Sequence, residues 1–385
     1  MVRNNSVFRL SPYRLIASIS RTLLGIVFVF SGVVKAIDPQ GTVYKIEDYL
    51  KAFGGFFTDL LPLAETAAWL LIITELLLGV CMLLNVRTQW TAWISLLFYL
   101  VMTPLTLYIA LTNPVSDCGC FGDAIVLTNW QTFWKNVVLI ILSIVLVLLR
   151  KSVHQLWSNW MEVVLAALTI VVAIAFMAWT RHHLPVKDFR PYKIGNHLPT
   201  LMEYPEDAEP DVYEYSFVYA KDGVEQTFTL ENYPKGDSTW TFVRQNSKLI
   251  KKGYEPPIHD LEIINAEGED LTWDILESEE PVTLVVMYDL AKADKSQMAK
   301  VEALASNLSF LASSPDNLIA SSPNFYILTG SGTDEIIAFS MEYPTLSECI
   351  CTCDPVTLKT IVRANPGVIV LQNGVVIDKY NLRNR

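Results

Sequence analysis

The chain has 385 residues, 51% of them hydrophobic and 18% charged, with a formal net charge of −11 and a mean hydropathy of +0.32. That composition excludes an ordinary soluble globular protein and points to membrane-spanning segments. The charge is unevenly divided: residues 1–180 carry 11 Lys and Arg against 9 Asp and Glu, and residues 181–385 carry 18 against 31. The second half is therefore an acidic domain, which excludes nucleic acid and anionic lipid as its partners.

Five apolar stretches, at about 15–36, 64–84, 90–111, 130–149 and 160–180, reach the roughly 20 residues a helix needs to cross a bilayer. The first runs on too far for a signal peptide and lacks a small-residue cleavage site. Lys35 falls near its outer end, where snorkelling to the interface is the default and Asp38 or Glu65 are alternative partners. Asp38 then opens Asp-Pro-Gln-Gly, followed by an amphipathic stretch from Lys45 to Leu60 that is expected on the membrane face or packed over the bundle. Glu75 lies about 11 residues into the second span, where an ionisable group is costly. It reads as a proton relay or, preferably, as a protonated hydrogen-bond partner of a neighbouring helix. Cys81, alone in the same apolar run, reads as packing.

Arg3, Arg9, Arg14 and Arg21 precede or enter the first span, Arg87 lies between the second and third, and Arg150 and Lys151 follow the fourth. These tracts fall on one side, which the positive-inside rule makes the cytoplasm. Residues 112–129 contain no Lys or Arg, so they belong outside. An odd number of spans then exports everything after Arg181. Cys118, Cys120, Cys349, Cys351 and Cys353 all fall on that oxidising side.

Between the third and fourth spans the chain reads SDCGCFGD, Ser116 to Asp123. Two cysteines two apart place their Cα atoms roughly 5.5–7 Å from each other, overlapping the disulfide range. A bond closed over so short a ring is strained and readily reduced. Gly119 and Gly122 supply the backbone freedom of the turn. The start of the fourth span would favour a thiolate, and Asp117 and Asp123 would oppose one. Three readings stay open for Cys118 and Cys120: a redox pair, a static loop disulfide, or neither.

After the fifth span a linker carries His182 and His183, expected at headgroup level. Tyr215 to Leu230 alternates around Asp222-Gly223, which predicts a hairpin. Beyond Glu255-Pro256-Pro257 the pattern predicts a strand at Val282–Tyr288, a helix at Lys292–Ser306 and a strand at Asn324–Thr329. A helix at Asp354–Arg363, which Asp354 can cap, is followed by strands at Val368–Gln372 and Val375–Tyr380. This order resembles the thioredoxin fold, which implies a cis bond at Pro366. It departs from that family at Tyr288–Met298, where the family's CxxC would stand and no cysteine occurs. Cys349, Cys351 and Cys353 alternate, so a strand would put all three sulfurs on one face. They could pair as a disulfide, hold a soft metal ion, or exchange with Cys118 and Cys120; no metal ligand set is evident.

DCGCFGD with Trp130 and Asn136 after it, FSGVVKAIDPQG from Phe30 to Gly41, and Thr74-Glu75 together resemble the DoxX/MauE-type redox-associated membrane proteins over residues 15–150. The four-helix bundle is also similar to that of vitamin K epoxide reductase, which passes electrons from cysteines to quinone. The resemblance implies a multi-pass protein of the bacterial cytoplasmic (inner) membrane with thiol–disulfide chemistry at Cys118 and Cys120. Glu75 and Lys35, from their depth in the spans, and Cys351, Cys353 and Pro366, from the resemblance to thioredoxin, are accessory candidates; the resemblance of the bundle makes quinone a candidate acceptor and an exported thiol or disulfide protein a candidate partner. The expected organisation is a four-helix transmembrane bundle (1–150), a fifth transmembrane helix and tether (151–185), a β-rich extracytoplasmic region (186–256) and a thioredoxin-like α/β domain without CxxC (257–385). The alternative is a non-enzymatic membrane-anchored assembly or binding factor.

Overall fold

The computed structural model describes residues 12–115, 117–153, 156–221, 223–251, 253–312 and 324–384. Arg3 and Arg9 of the first basic tract, Ser116 of the cysteine loop and Asp222 of the hairpin turn lie outside the described residues. Helix α1 (Pro12–Ile37) is followed at once by α2 (Pro39–Phe53). Asp38 separates them: its side chain accepts from the Gly41 amide, and Pro39 takes the first turn, where its missing N–H costs nothing. Helices α3 (Ala64–Leu83), α4 (Thr88–Thr112), α5 (Asn129–Leu149) and α6 (Asn159–His182) complete the helical half.

Among the described residues, five helical stretches are long and apolar enough to cross a membrane: α1, Gly55–Leu83 ending in α3, α4, α5 with its extension to Ser152, and α6. Helices α1, α3, α4, α5 and α6 agree with the predicted spans to within three residues at either end. Apolar residues run all round them, so side chains such as Leu15, Ile26, Leu97, Leu148 and Val171 stay exposed, as lipid-facing residues must. Helices α1 and α3 approach most closely where they are smallest. A Cβ on Gly79 would lie 2.6 Å from the Val29 backbone nitrogen, while Gly25 and Gly32 receive Leu83 and Leu76. Leu24, Phe28, Leu78, Met82, Tyr99, Leu139 and Leu146 fill the space between α1, α3, α4 and α5. Helix α6 rests on the outside through Ala173 and Met177, against Ala36, Ile72 and Leu76. Of the expected positions for the Lys45–Leu60 stretch, the packed one is observed: Val43, Ile46 and Leu50 of α2 cover Ala64 and Ala68.

The second half contains two sheets. Strands β1 (Val212–Lys221), β2 (Val224–Thr229) and β3 (Thr241–Lys251) form an antiparallel sheet in the order β2-β1-β3, with Gly223 at φ +81° in the predicted hairpin turn. The larger sheet has the order β6-β5-β4-β7-β8. Its strands are β4 (Val282–Val286), β5 (Phe325–Thr329), β6 (Ile350–Thr352), β7 (Gly367–Gln372) and β8 (Val375–Asn381). Strands β4, β5 and β6 run parallel, and β7 and β8 are antiparallel additions. Alternation along β4 sends Leu284 and Val286 into one core and Val285 into the other.

The first core also takes Tyr192 and Leu198 from before the small sheet and Ile258 to Leu276 from after it. The three-stranded sheet thus interrupts a body to which both flanking segments belong. Helices α7 (Leu198–Met202), α8 (Thr272–Leu276), α9 (Met298–Ala312), α10 (Thr333–Glu342) and α11 (Pro355–Ile361) surround it. Helix α9 starts six residues later than the sequence pattern predicts. The reason is local: Asp289 and Asp294 accept from the Lys292 and Ser296 amides, turning the chain before the helix begins. Asp354 caps α11 as expected, and the Asn365–Pro366 bond is cis. Asp188 pairs with Arg190 and Lys379, clipping the linker to β8.

Candidate functional site

The cysteine loop joins α4 to α5 and is turned by two left-handed glycines, Gly119 (φ +62°) and Gly122 (φ +51°). Asp117 accepts from the Gly119 amide, and the Gly122 amide donates to the Gly119 carbonyl. Within this tight turn the Cys118 and Cys120 sulfurs come to 3.2 Å without a bond between them. Helix α5 begins just beyond, with Thr128 and Gln131 in a reciprocal capping box.

The loop is held to the bundle by its carbonyls. The Cys120 carbonyl accepts from Ser31 Oγ at 2.7 Å and from Lys35 Nζ at 2.8 Å. The Cys118 carbonyl accepts from the Tyr49 hydroxyl at 2.8 Å. Lys45 pairs with Asp117 at 2.6 Å. Ser31 and Lys35 lie one turn apart on α1, and Lys45 and Tyr49 one turn apart on α2, so two helix faces grip one turn of loop.

Lys35 departs from its expected position. It does not snorkel, and neither Asp38 nor Glu65 is its partner. It points into the bundle with 5% of its side chain exposed and contacts both Glu75 carboxylate oxygens at 2.8 Å. Desolvation decides this: a buried ammonium must be paired, and Glu75 is the carboxylate that α3 brings opposite. Sequence candidates Cys118, Cys120, Lys35 and Glu75 are thereby drawn into one place. They line a cavity of about 310 Å³ whose walls include Phe28, Leu71, Phe98, Tyr99 and Met102. Asn136 reaches the same cavity and donates to Thr106. Cys81 is buried in helix packing, with 5% exposure.

The two thiols are electrostatically unequal. Cys120 has its pKa lowered, first by the hydrogen bond from Cys118 and then by Lys135 and Lys35, against the opposing effect of burial. Cys118 is pushed up by the same sulfur–sulfur contact and by its burial. The expected opposition from the aspartates is blunted, because each has a cationic partner: Lys45 for Asp117 and Arg363 for Asp123.

Five residues of this site escaped the sequence reading: Ser31, Lys45, Tyr49, Lys135 and Arg363. Lys135 was detectable, since a lysine a few residues into an apolar span is a functional candidate by default; it sits 4.5 Å above the Phe121 ring. Arg363 carried no local signal.

The remaining candidates lie elsewhere. Cys351 and Cys353 are buried in the first core of the large sheet, and Cys349 packs against the second. The expected single face fails because Cys349 precedes β6 in a 3-10 turn (Pro344–Cys349), outside the strand's alternation. All three are free thiols, and burial raises Cys351 and Cys353 to about 12. Pro366 borders a polar crevice of about 360 Å³ with Tyr288, Gln297 and Arg363, on the side of the sheet turned to the bundle. Tyr288 meets Tyr44 of α2 edge to face there, with centroids 6.4 Å apart.

Residues 213–252, the small sheet, match a model described as Domain of unknown function (DUF8463). No curated protein and no solved structure matches the chain. Residues 13–149, which run from α1 to the end of α5 and include Lys35, Glu75, Cys118 and Cys120, match the family described as Methylamine utilisation protein MauE, and this stretch is similar to that family.

Proposed function

We propose that the protein carries out thiol–disulfide exchange at Cys118 and Cys120 on the extracytoplasmic face of a bacterial inner membrane. The observation that carries this reading is the sulfur pair, 3.2 Å apart, at the edge of an apolar cavity. In the oxidised state an exported dithiol protein attacks Cys118, and Cys120, the sulfur with the lowered pKa, leaves as thiolate. The partner's second thiol then resolves the mixed disulfide. The partner gains a disulfide and loses two electrons, and Cys118 and Cys120 are left as two thiols.

Closing the pair again needs a two-electron acceptor. The cavity suits a quinone: its aromatic and aliphatic walls match an apolar ring, and Lys135 is a cationic donor for a carbonyl oxygen. A bound quinone would accept the two electrons and two protons released as the disulfide re-forms. Lys35 and Glu75, in contact beneath the Cys120 carbonyl, are placed to hold and pass protons there. The basic tracts support an N-terminus in the cytoplasm, and the strand order supports a thioredoxin-like domain that acts without its own dithiol.

A second reading, a non-enzymatic assembly or binding factor, is favoured by one observation: Tyr288–Met298 lacks cysteine and Cys351 and Cys353 are buried. Reduced protein in lipid nanodiscs, given a short-chain quinone, separates the two. The expected result is a Cys118–Cys120 disulfide with matching quinol formation, absent in Cys118→Ser and Cys120→Ser. If the pair neither closes with quinone nor exchanges with a dithiol protein, the non-enzymatic reading stands instead.

A further inference from the structure

Arg363 follows α11 in the α/β domain, yet its guanidinium lies among the loops of the helical bundle. Its Nε donates to Asp38 at 2.8 Å and its Nη2 to Asp123 at 3.4 Å. Nη1 donates to the Lys359 carbonyl, and the group stands 5.2 Å from the Tyr44 ring centroid. Only 10% of the side chain is exposed. The guanidinium and Asp38 form a buried pair that is costly to part, and Asp123, 40% exposed, adds a longer contact to the same cation.

The two carboxylates occupy distinctive places. Asp123 is three residues beyond Cys120 in the cysteine loop. Asp38 caps α2, the helix whose Lys45 and Tyr49 hold Asp117 and the Cys118 carbonyl. One side chain of the α/β domain therefore touches the loop directly and also fixes the helix that grips it. The cysteines line the bundle cavity. On the loop's other side Gly119, Gly122 and Asp123 face the linker, where Pro185, Lys187 and Phe189 close a small crevice.

We infer that Arg363 is a positioning residue for the cysteine pair: docked on Asp38 and Asp123, it keeps the loop closed with its sulfurs on the cavity, and its release opens the pair to protein thiols. The α/β domain then acts on the exchange site without contributing a cysteine. The inference extends the reading of Cys118 and Cys120 as an exchanging pair. Its test reads access and not turnover, so inert thiols and an absent clamp give different results.

The test uses reduced full-length protein in nanodiscs, with alkylation of Cys118 and Cys120 resolved by peptide mass spectrometry. The measured quantity is the ratio of the rate with a polymer-linked maleimide to that with N-ethylmaleimide, which cancels changes in thiolate fraction. Arg363→Ala should raise this ratio about tenfold, as expected when a buried ion pair that opposes local opening is lost. Arg363→Lys, which keeps the cation but loses the planar fork that reaches both carboxylates, should fall between wild type and Arg363→Ala. Arg363→Asp should open the loop, and adding Asp123→Arg should close it again by restoring a cation between two acids. A wild-type ratio in Arg363→Ala overturns the inference. So does a charge-exchanged double variant that stays as open as Arg363→Asp, since that outcome reports damage to the interface and not loss of a clamp.

Discussion

Lys35 and Glu75 meet with 5% and 6% of their side chains exposed, so each charge relies on the other. Removing one partner of such a pair costs about 3–5 kcal/mol, whereas replacing both by apolar groups is often neutral. Lys35→Met should therefore lower the thermal stability of the detergent-solubilised protein sharply. Lys35→Met with Glu75→Leu should recover most of it, a pattern that scanning fluorimetry would reveal. If the double variant is as unstable as the single, the pair is not an isolated electrostatic unit. The pair was hidden in the sequence because its partners are 40 residues apart and meet only through the rotational phase of α1 against α3. Glu75 was visible as an anomaly; its partner was not.

The cysteines supply a pH-dependent prediction at the same scale. Cys120 faces Lys35 and Glu75 from α1 and α3, Lys135 from α5, Tyr49 from α2, Tyr99 from α4, and Cys118 within the loop. Its lowered pKa means that the thiolate persists at neutral pH and alkylation fades only as pH falls through that lowered value. Cys118, shifted upward, should label more slowly at pH 7. Lys135→Gln should move the Cys120 profile to higher pH and slow its neutral-pH alkylation by about threefold, because a nearby cation favours the thiolate. A profile that does not move would remove Lys135 from the site.

At the scale of elements, the α1–α3 seam decides whether the site forms. Gly79 leaves no room for a Cβ beside the Val29 nitrogen, and that atom is backbone, which cannot rotate aside. Gly79→Val should cost about 1–3 kcal/mol through overpacking. It should also separate Lys35 from Glu75, so the loss of Cys120 alkylation should accompany the loss of stability. A drop in stability with an unchanged thiol profile would show that the seam and the site are independent. The spans themselves were legible in the sequence to a few residues, because a continuous apolar run of bilayer length has few competing explanations. The β-hairpin and the capped α11 were legible for the same kind of reason, a strong local signal. Helix α10 was not, since its short amphipathic pattern is ambiguous, and the late start of α9 depended on aspartates choosing backbone amides over helix.

For the whole molecule, the contacts of Arg363, Tyr288 and the linker place α2, the cysteine loop and the α/β domain at one end of the bundle. The α3–α4 and α5–α6 connections must then lie at the other. Cysteines introduced at Thr58 and Glu231, both exposed positions, should react with an impermeant maleimide from the same side of sealed vesicles. One introduced at Lys151 should react only from the opposite side. Labelling of Thr58 and Glu231 positions from different sides would dismantle the docked arrangement. None of this docking could be read from local pattern, because its contacts join residues as far apart as Asp38 and Arg363.

The 240-residue separation between Asp123 and Arg363 also has a consequence in time. A ribosome adding roughly 5–20 residues per second needs on the order of tens of seconds to make that length. Throughout that interval the loop that carries Cys118 and Cys120 has been made, while the side chain that pairs with its Asp123 has not. The loop must therefore be held through that interval by Ser31, Lys35, Lys45 and Tyr49 of α1 and α2 alone, before the α/β domain arrives.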